Sequence, residues 1–260
     1  MGLREFLCDP RLSGLDVDSE EFSVAHRQVL MSKPMLRGLF ADFYARCRNA
    51  DERYFSGSGL RLEIGSGSSF MKEIYPDVIT SDIKQLPFLD LVCRGESLPF
   101  ADGSVRAIYG INVFHHLPEP RAFFREIVRV LAHGGGIVLI EPYYGPVARR
   151  VFSGLHATET FDTEAPAWET PLTGPMSAAN QALSYIVFKR DLARFKEEFP
   201  QLSLIVDEPH THLRYVVSGG VNFRQLLPDV FDSVIRFTER VLSPVAHQLS
   251  LQHTLVIRKA

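Results

Sequence analysis

The stretch "LRLEIGSGSSFMKEIYPDVITSDIKQLP", residues 60–87, decides the fold class. Leu60, Leu62 and Ile64 make a short strand-like run that meets two glycines, Gly65 and Gly67. "SFMKEIYP" then reads as a short helix stopped by Pro76, and "DVITSD" reads as a second strand ending on Asp82. A strand, a glycine turn, a helix and a second strand open a parallel α/β unit. In such sheets ligands sit beyond the carboxyl ends of the strands, where strand order reverses. Glycine there lets the chain turn sharply and lets a ligand touch the backbone.

The turn narrows the ligand. A dinucleotide fingerprint needs Gly-x-Gly-x-x-Gly so that a pyrophosphate can rest on the helix N-terminus. Its sixth position here is the bulky Phe70, and no Gly-Lys-Ser/Thr follows. The expectation is a nucleoside without a diphosphate. Asp82, closing the second strand, can accept both ribose hydroxyls. The bland alternative is a tight strand-to-helix turn that binds nothing.

Working outward, residues 19–49 place apolar residues three and four apart and predict helix, interrupted at Pro34. After residue 82, "LDLVC" is a third strand, "VRAIYGIN" a fourth and "GIVLIEP" a fifth. Residues 119–131 predict a helix buried through Phe123, Phe124, Ile127, Val128, Val130 and Leu131, with Gly134 to Gly136 ending it. "KRDLARFKEEFP" is a helix, "LSLIVDEP" a strand, residues 227–246 helical, and "LQHTLVIRKA" a final strand. Runs apolar on both faces and alternating with helices predict a mostly parallel seven-stranded Rossmann-like α/β sheet. Helices cover both faces, and the last strand slots in antiparallel. The expected division is an N-terminal helical extension over 1–58 and a main domain over 59–260. Residues 143–188 form a substrate lid, or carry small helices of their own.

The chain has 260 residues, 45% hydrophobic and 23% charged, which is ordinary for a globular protein. A net charge of −3 gives no nucleic-acid footprint. No apolar run approaches the roughly 20 residues that span a bilayer. The start, "MGLREFLCDP", lacks the basic and apolar regions of a secretory signal, and Phe6 stands where myristoylation wants Ser or Thr. Cys8, Cys47 and Cys93 are scattered and odd in number, which fits a reducing, cytoplasmic setting.

The segments "LEIGSGSSF", "ITSDI" and "ESLPFADGSVRAIYGINVFHHLPEPRAFFREIVRVLAHGGGIVLIEP" resemble the class I S-adenosylmethionine-dependent methyltransferases of the small-molecule, type 11-like branch. The resemblance covers residues 59–145 well and the later strands loosely. It implies S-adenosyl-L-methionine as cofactor. It places Glu63, Gly65, Ser66 and Gly67 at the methionine end, Asp82 and Ile83 at the ribose, and Arg94, Gly95 and Glu96 beside adenine. Asn112 falls next to the transferring methyl. One departure stands out: Arg94 replaces the family's usual adenine-contacting Asp. A guanidinium donates only, so it either stacks on the ring or is a solvated surface side chain.

Methyl transfer is an in-line displacement, so alignment of donor and acceptor does most of the work. A hydroxyl acceptor also gains from a base, and His115 in "NVFHHL" is the candidate, with structural packing of the histidine pair as the alternative. Glu141 could bind an acceptor hydroxyl, order a histidine or cap a helix. Tyr143, His156, Asn180, His210 and Arg214 complete the candidate acceptor site, Asn180 with a local cap as its alternative. Trp168 suits either a sugar face or a core anchor. His210 and His212, with Asp207 or Glu208, could share a face with metal-ligand character, but no metal is expected. The stripe of residues 227–246 reads as core.

The function expected is O-methylation of a small or glycan-like acceptor, with a place in bacterial surface-polysaccharide synthesis suggested by resemblance. The competing reading is a cofactor-binding, non-catalytic module acting through a protein partner. Neither nucleic acid nor stable membrane insertion is expected.

Overall fold

The computed structural model describes residues 6–155, 159–170, 174 and 179–260. Its centre is a seven-stranded sheet in the order β3-β2-β1-β4-β5-β7-β6. The strands are β1 Leu60–Ile64, β2 Val78–Asp82, β3 Leu91–Val92, β4 Val105–Ile111, β5 Leu131–Pro142, β6 Leu202–His210 and β7 Gln252–Lys259. β1 runs parallel to β2 and β4, and β4 parallel to β5. β7 is antiparallel to both β5 and β6, as the sequence predicts. Strand order reverses between β1 and β4, so their carboxyl ends open a crevice.

The strands are apolar on both faces because both are covered. Leu62, Ile108, Leu139 and Leu255 join one core layer with Phe123, Phe124 and Ile127 of the helix α4, Pro120–Val130. Tyr109, Val138, Ile140 and Val256 join the other, against Leu36, Leu39, Phe43 and Cys47 of α2, Pro34–Tyr54. Burial of each such side chain stabilises by about 1.5–3 kcal/mol. α2 is also tied to the sheet by charge. Asp51 is fully buried and accepts from Arg61 at 2.7 Å, Arg106 at 2.7 Å and Tyr109 at 2.8 Å. The preceding helix α1, Glu20–Ser32, is capped by Ser19, whose hydroxyl accepts from Phe22 N. Pro34 separates α1 from α2, as expected.

The helix in "SFMKEIYP" is the single turn α3 Met71–Ile74, short and ended before Pro76 as expected, with the Ser69 hydroxyl accepting from Met71 N and donating to Tyr44. Two local expectations differ. α4 ends at Val130, and Gly134 to Gly136 belong to β5. Backbone crowding explains them: a β-carbon at Gly135 would stand 2.5 Å from Arg106 O, and one at Gly136 2.4 Å from Ile257 O. Residues 227–246 break into short pieces, of which the longest is Asp232–Val241, and their apolar stripe faces solvent rather than the core.

The segment after β5 carries helices of its own. α5 is Pro146–Leu155, α6 is Leu183–Tyr185 with a π-turn Ile186–Arg190, and α7 is Leu192–Glu198. After β6 come α8, Arg214–Ser218, then α9, Asp232–Val241, and α10, Ala246–Leu249. Trp168 is buried in the α4 core layer, its indole donating to Asp191 at 2.8 Å, so it anchors this segment.

Candidate functional site

The turn after β1 is built around two left-handed glycines, Gly65 at φ 57° and Gly67 at φ 46°. A β-carbon at Gly65 would stand 2.1 Å from Val113 Cγ2, so only glycine fits. Gly67 N donates to Asp82 Oδ2 at 2.9 Å, and Lys84 N donates to Asp82 Oδ1 at 2.9 Å. The carboxylate closing β2 is thereby locked toward the turn, with one lone pair on each oxygen left over.

A cavity of about 580 Å³ opens here. All ten residues assigned to the cofactor from the sequence line it: Glu63, Gly65, Ser66, Gly67, Asp82, Ile83, Arg94, Gly95, Glu96 and Asn112. Arg94 is half exposed, with Nε 3.7 Å from Glu96 Oε2. Glu63 is nearly fully buried, and that burial pushes its carboxyl up to about 7 despite the nearby hydroxyls of Ser69 and Ser66. Asn112 takes the left-handed region at φ 52°, which Asn tolerates better than other side chains. It re-aims the chain after β4 into the turn Phe114–His116.

That turn sits on Glu141. The buried carboxylate accepts from Val113 N at 2.9 Å, Phe114 N at 2.8 Å and His115 Nδ1 at 2.6 Å. Burial pulls the His115 pKa down, but the Glu141 charge and hydrogen bond outweigh it, and the net direction is up. Burial pushes Glu141 up, yet His115 and the backbone donors hold it below the ordinary carboxylate value. With Nδ1 engaged, His115 turns Nε2 to the cavity, 3.8 Å from Glu159 Oε2. Burial and the neighbouring His115 lower His116 to about 4, so it is neutral near pH 7. Gln181 Nε2 donates to Glu159, and Gln252 Nε2 donates to Asn112 Oδ1 at 3.2 Å. The N-terminal helices form the opposite wall through Phe22, Ser23, His26, Phe40 and Tyr44.

Residues 62–139 match the family described as "Methyltransferase domain". Those residues are similar to that domain. An uncharacterized methyltransferase of Mycobacterium sp. (strain JLS) is 51% identical over 45 residues, 17% of this chain and 18% of that protein. The chain therefore spans 18% of the length of that curated relative. A solved methyltransferase in complex with the Haloferax volcanii Trm112 methyltransferase activator aligns over 94% of this chain and 97% of its own, at 15% identity and a TM-score of 0.50. Geranyl diphosphate C-methyltransferase from Streptomyces coelicolor A3(2) aligns over 97% and 88% at 14% identity and a TM-score of 0.46.

Around this cavity the expected acceptor residues scatter. Glu141 is not on the cavity wall; it orders His115 and caps its turn, as two of its expected alternatives had it. Tyr143 packs on Tyr144 and bonds His247 at 3.1 Å through its hydroxyl. Asn180 is a local cap, its Oδ1 accepting from Asp162 N and Ala182 N. His210 is buried between the hydroxyls of Thr211 and Thr254. Arg214 is buried too, paired with Asp42 and with Asp232 at 2.6 Å. None of these five side chains lines the cavity, because each already spends its polar groups on the fold. His156 lies outside the described residues.

Sequence reasoning missed Gln181, Gln252, Tyr215, Asn222 and the whole N-terminal wall. Gln252 opens β7 ahead of the polar His253 and Thr254, so no local pattern singles it out. His212 instead pairs with Ser250 at 3.1 Å, and Asp207 with His253 at 2.7 Å. Among the described residues, the grouping with metal-ligand spacing is His115, His116 and Glu159.

Proposed function

We propose that the protein transfers a methyl group from S-adenosylmethionine to an oxygen of a small or glycan-like acceptor, releasing S-adenosylhomocysteine. One observation carries this reading. Among the described residues, five buried side-chain polar atoms lack a partner: Glu63 Oε2, Glu96 Oε1, His116 Nδ1, Gln181 Oε1 and Gln252 Oε1. All five belong to residues lining the one cavity. An unpaired buried polar atom costs about 1–3 kcal/mol, so the wall is organised for a ligand that supplies the missing partners.

The residues at the β1–β2 end fit the cofactor. Glu63 would take the methionine ammonium, and the free lone pairs of Asp82 the ribose hydroxyls. Gly65 and Gly67 give the backbone approach that a phosphate-free adenosyl group needs. Glu96 offers the carboxylate that Arg94 does not. The bound cofactor supplies a methyl activated on a sulfonium. The chain aligns the acceptor oxygen with it and holds its proton at His115 Nε2. Glu141 fixes the ring through Nδ1 and stabilises the imidazolium that results. Gln181 Oε1 and Gln252 Oε1 are left open to accept a hydrogen bond from a ligand, which favours a hydroxyl-bearing acceptor.

In the same reading residues 1–58 are a helical extension to a domain over 59–260, and 143–188 close over the acceptor. Three free thiols, Cys8, Cys47 and Cys93, support a cytoplasmic setting. Among the described residues no helix is long and apolar enough to cross a membrane. A glycan-like acceptor would place the reaction in polysaccharide synthesis.

Calorimetry with S-adenosylmethionine, followed by tritium-methyl transfer to polyols, phenols, amines and acids, tests this. Binding with transfer to a hydroxyl class is expected. Absence of binding rejects the cofactor, transfer to nitrogen or carbon rejects the oxygen chemistry, and binding without turnover on any class favours a non-catalytic module.

A further inference from the structure

The segment carrying α9 presents an apolar face that nothing among the described residues covers. Val230 is 79% exposed, Val234 60%, Phe237 66% and Val241 60%; Leu227 is also exposed. Within α9, Val234, Phe237 and Val241 are spaced three and four apart, the a/d repeat of a helix seam, and Val230 precedes them in the 3-10 turn Asp229–Phe231. The opposite side of the same helix is fully engaged. Ile235 is buried. Glu239 accepts from His212 N, Leu213 N and Arg214 N at 2.8, 2.8 and 3.0 Å, which caps α8. Arg236 bonds Asp232 at 3.0 Å and stands 3.1 Å from Asp42, beside the buried Arg214. The polar side therefore fastens α9 to the body and holds the apolar side outward, so the exposure does not come from a loose element.

We infer that this face pairs with the same face of a second copy of the chain, two α9 helices crossing antiparallel. Three arguments choose that occupant. The seam is self-complementary: an axis between Ile235 and Arg236 sets Val234 against Phe237 of the other copy and Val230 against Val241. Of its flanks, Ser233 and Thr238 carry no charge, and the exposed Arg240 lies opposite Phe231 of the other copy, so no like charges meet. Area agrees as well. Covering Leu226, Leu227, Val230, Val234, Phe237, Val241 and the nearby Val245 buries up to about 600 Å² per partner, the lower end of a standard interface. Against a lipid surface, residues 226–245 hold three acids, Asp229, Asp232 and Glu239, and only two bases, Arg236 and Arg240. Helices that lie on anionic membranes carry a basic polar face instead.

Sedimentation equilibrium across a dilution series tests the pairing. The wild-type chain is expected at twice 29.3 kDa at high concentration, and the double variant Val234→Glu/Phe237→Glu at 29.3 kDa throughout. Val230→Asp, at the most exposed position of the seam, gives the same readout where the double variant fails to fold. Circular dichroism and the thermal midpoint verify the fold of each. A wild-type monomer at every concentration overturns the inference, as does a dimer that survives both variants. Co-sedimentation of a monomeric wild type with phosphatidylcholine–phosphatidylglycerol vesicles, lost in the variants, assigns the face to lipid and also overturns it.

Discussion

Two carboxylates on adjacent strands sit in different surroundings. Asp82 accepts two backbone N–H bonds at the cavity rim, whereas Glu63 is enclosed and pushed up to about 7. Asp82→Ala is expected to weaken S-adenosylmethionine binding by about 1.5–3 kcal/mol, the value of a hydrogen bond to a charged group. Unchanged affinity by calorimetry removes Asp82 from the cofactor site. The His115–Glu141 pair gives a pH prediction. The His115 pKa is raised, so its stabilising ion pair is fully present below the ordinary histidine value of 6.5 and is lost as pH rises through the raised value. The base needs the deprotonated ring, so the acid limb of turnover lies above pH 6.5. Glu141→Gln should move that limb to lower pH and slow turnover, while His115→Ala lowers turnover about 10²–10⁴-fold and leaves cofactor affinity nearly unchanged. Equal losses of turnover and affinity in His115→Ala point to structure instead.

At the scale of elements, the β1 turn and the β4 turn are one device. Gly65 exists because Val113 occupies the space a side chain would need. Val113 in turn stands where it does because Glu141 of β5 collects the amides of the turn that follows β4. Gly65→Ala is therefore expected to abolish cofactor binding. Gly65→Ala/Val113→Ala should recover part of it, since the clash goes but a left-handed alanine still costs about 1–2 kcal/mol. Full binding by the single variant, measured by the same calorimetry, breaks the link between the two turns. The sequence made the strands, α2 and α4 legible through apolar runs and periodicity. It misplaced the end of α4, because a glycine triplet reads as a stop when its real cause is crowding from Arg106 and Ile257 on neighbouring strands.

For the molecule as a whole, the N-terminal helices close the cavity and set its acid sensitivity. His26 is buried there, bonded through Nε2 to Asn222 at 2.8 Å. Burial lowers its pKa to about 4, with the Asn222 bond opposing and Lys84 assisting. Below pH 6.5 the unfolded chain takes up a proton that the native chain refuses until about 4, so stability falls as pH falls across that window. His26→Gln should flatten the pH dependence of urea unfolding between pH 6.5 and 4. An unaltered slope means His26 is not a source of it. Of the candidate site, the cavity wall at the β1–β2 end was legible in the sequence because Glu63, Gly65, Gly67 and Asp82 lie within 20 residues on consecutive elements. The acceptor end was not. Gln181, Gln252, Tyr215 and Phe22 come from four distant segments, and no local pattern marks their convergence.

Sequence alone determined the parallel strands, the glycine turn and the carboxylate that faces it. Those depend on side-chain alternation and backbone freedom, which act over a few residues. Tertiary structure decided which polar side chains stay available. His210, Arg214 and Asn180 looked like site residues and are consumed by partners as far as 172 residues away in the chain. It also decided that the stripe at 227–241 faces water. A helix pattern shows that one face is apolar, but only the packing of the remaining chain fixes what that face meets.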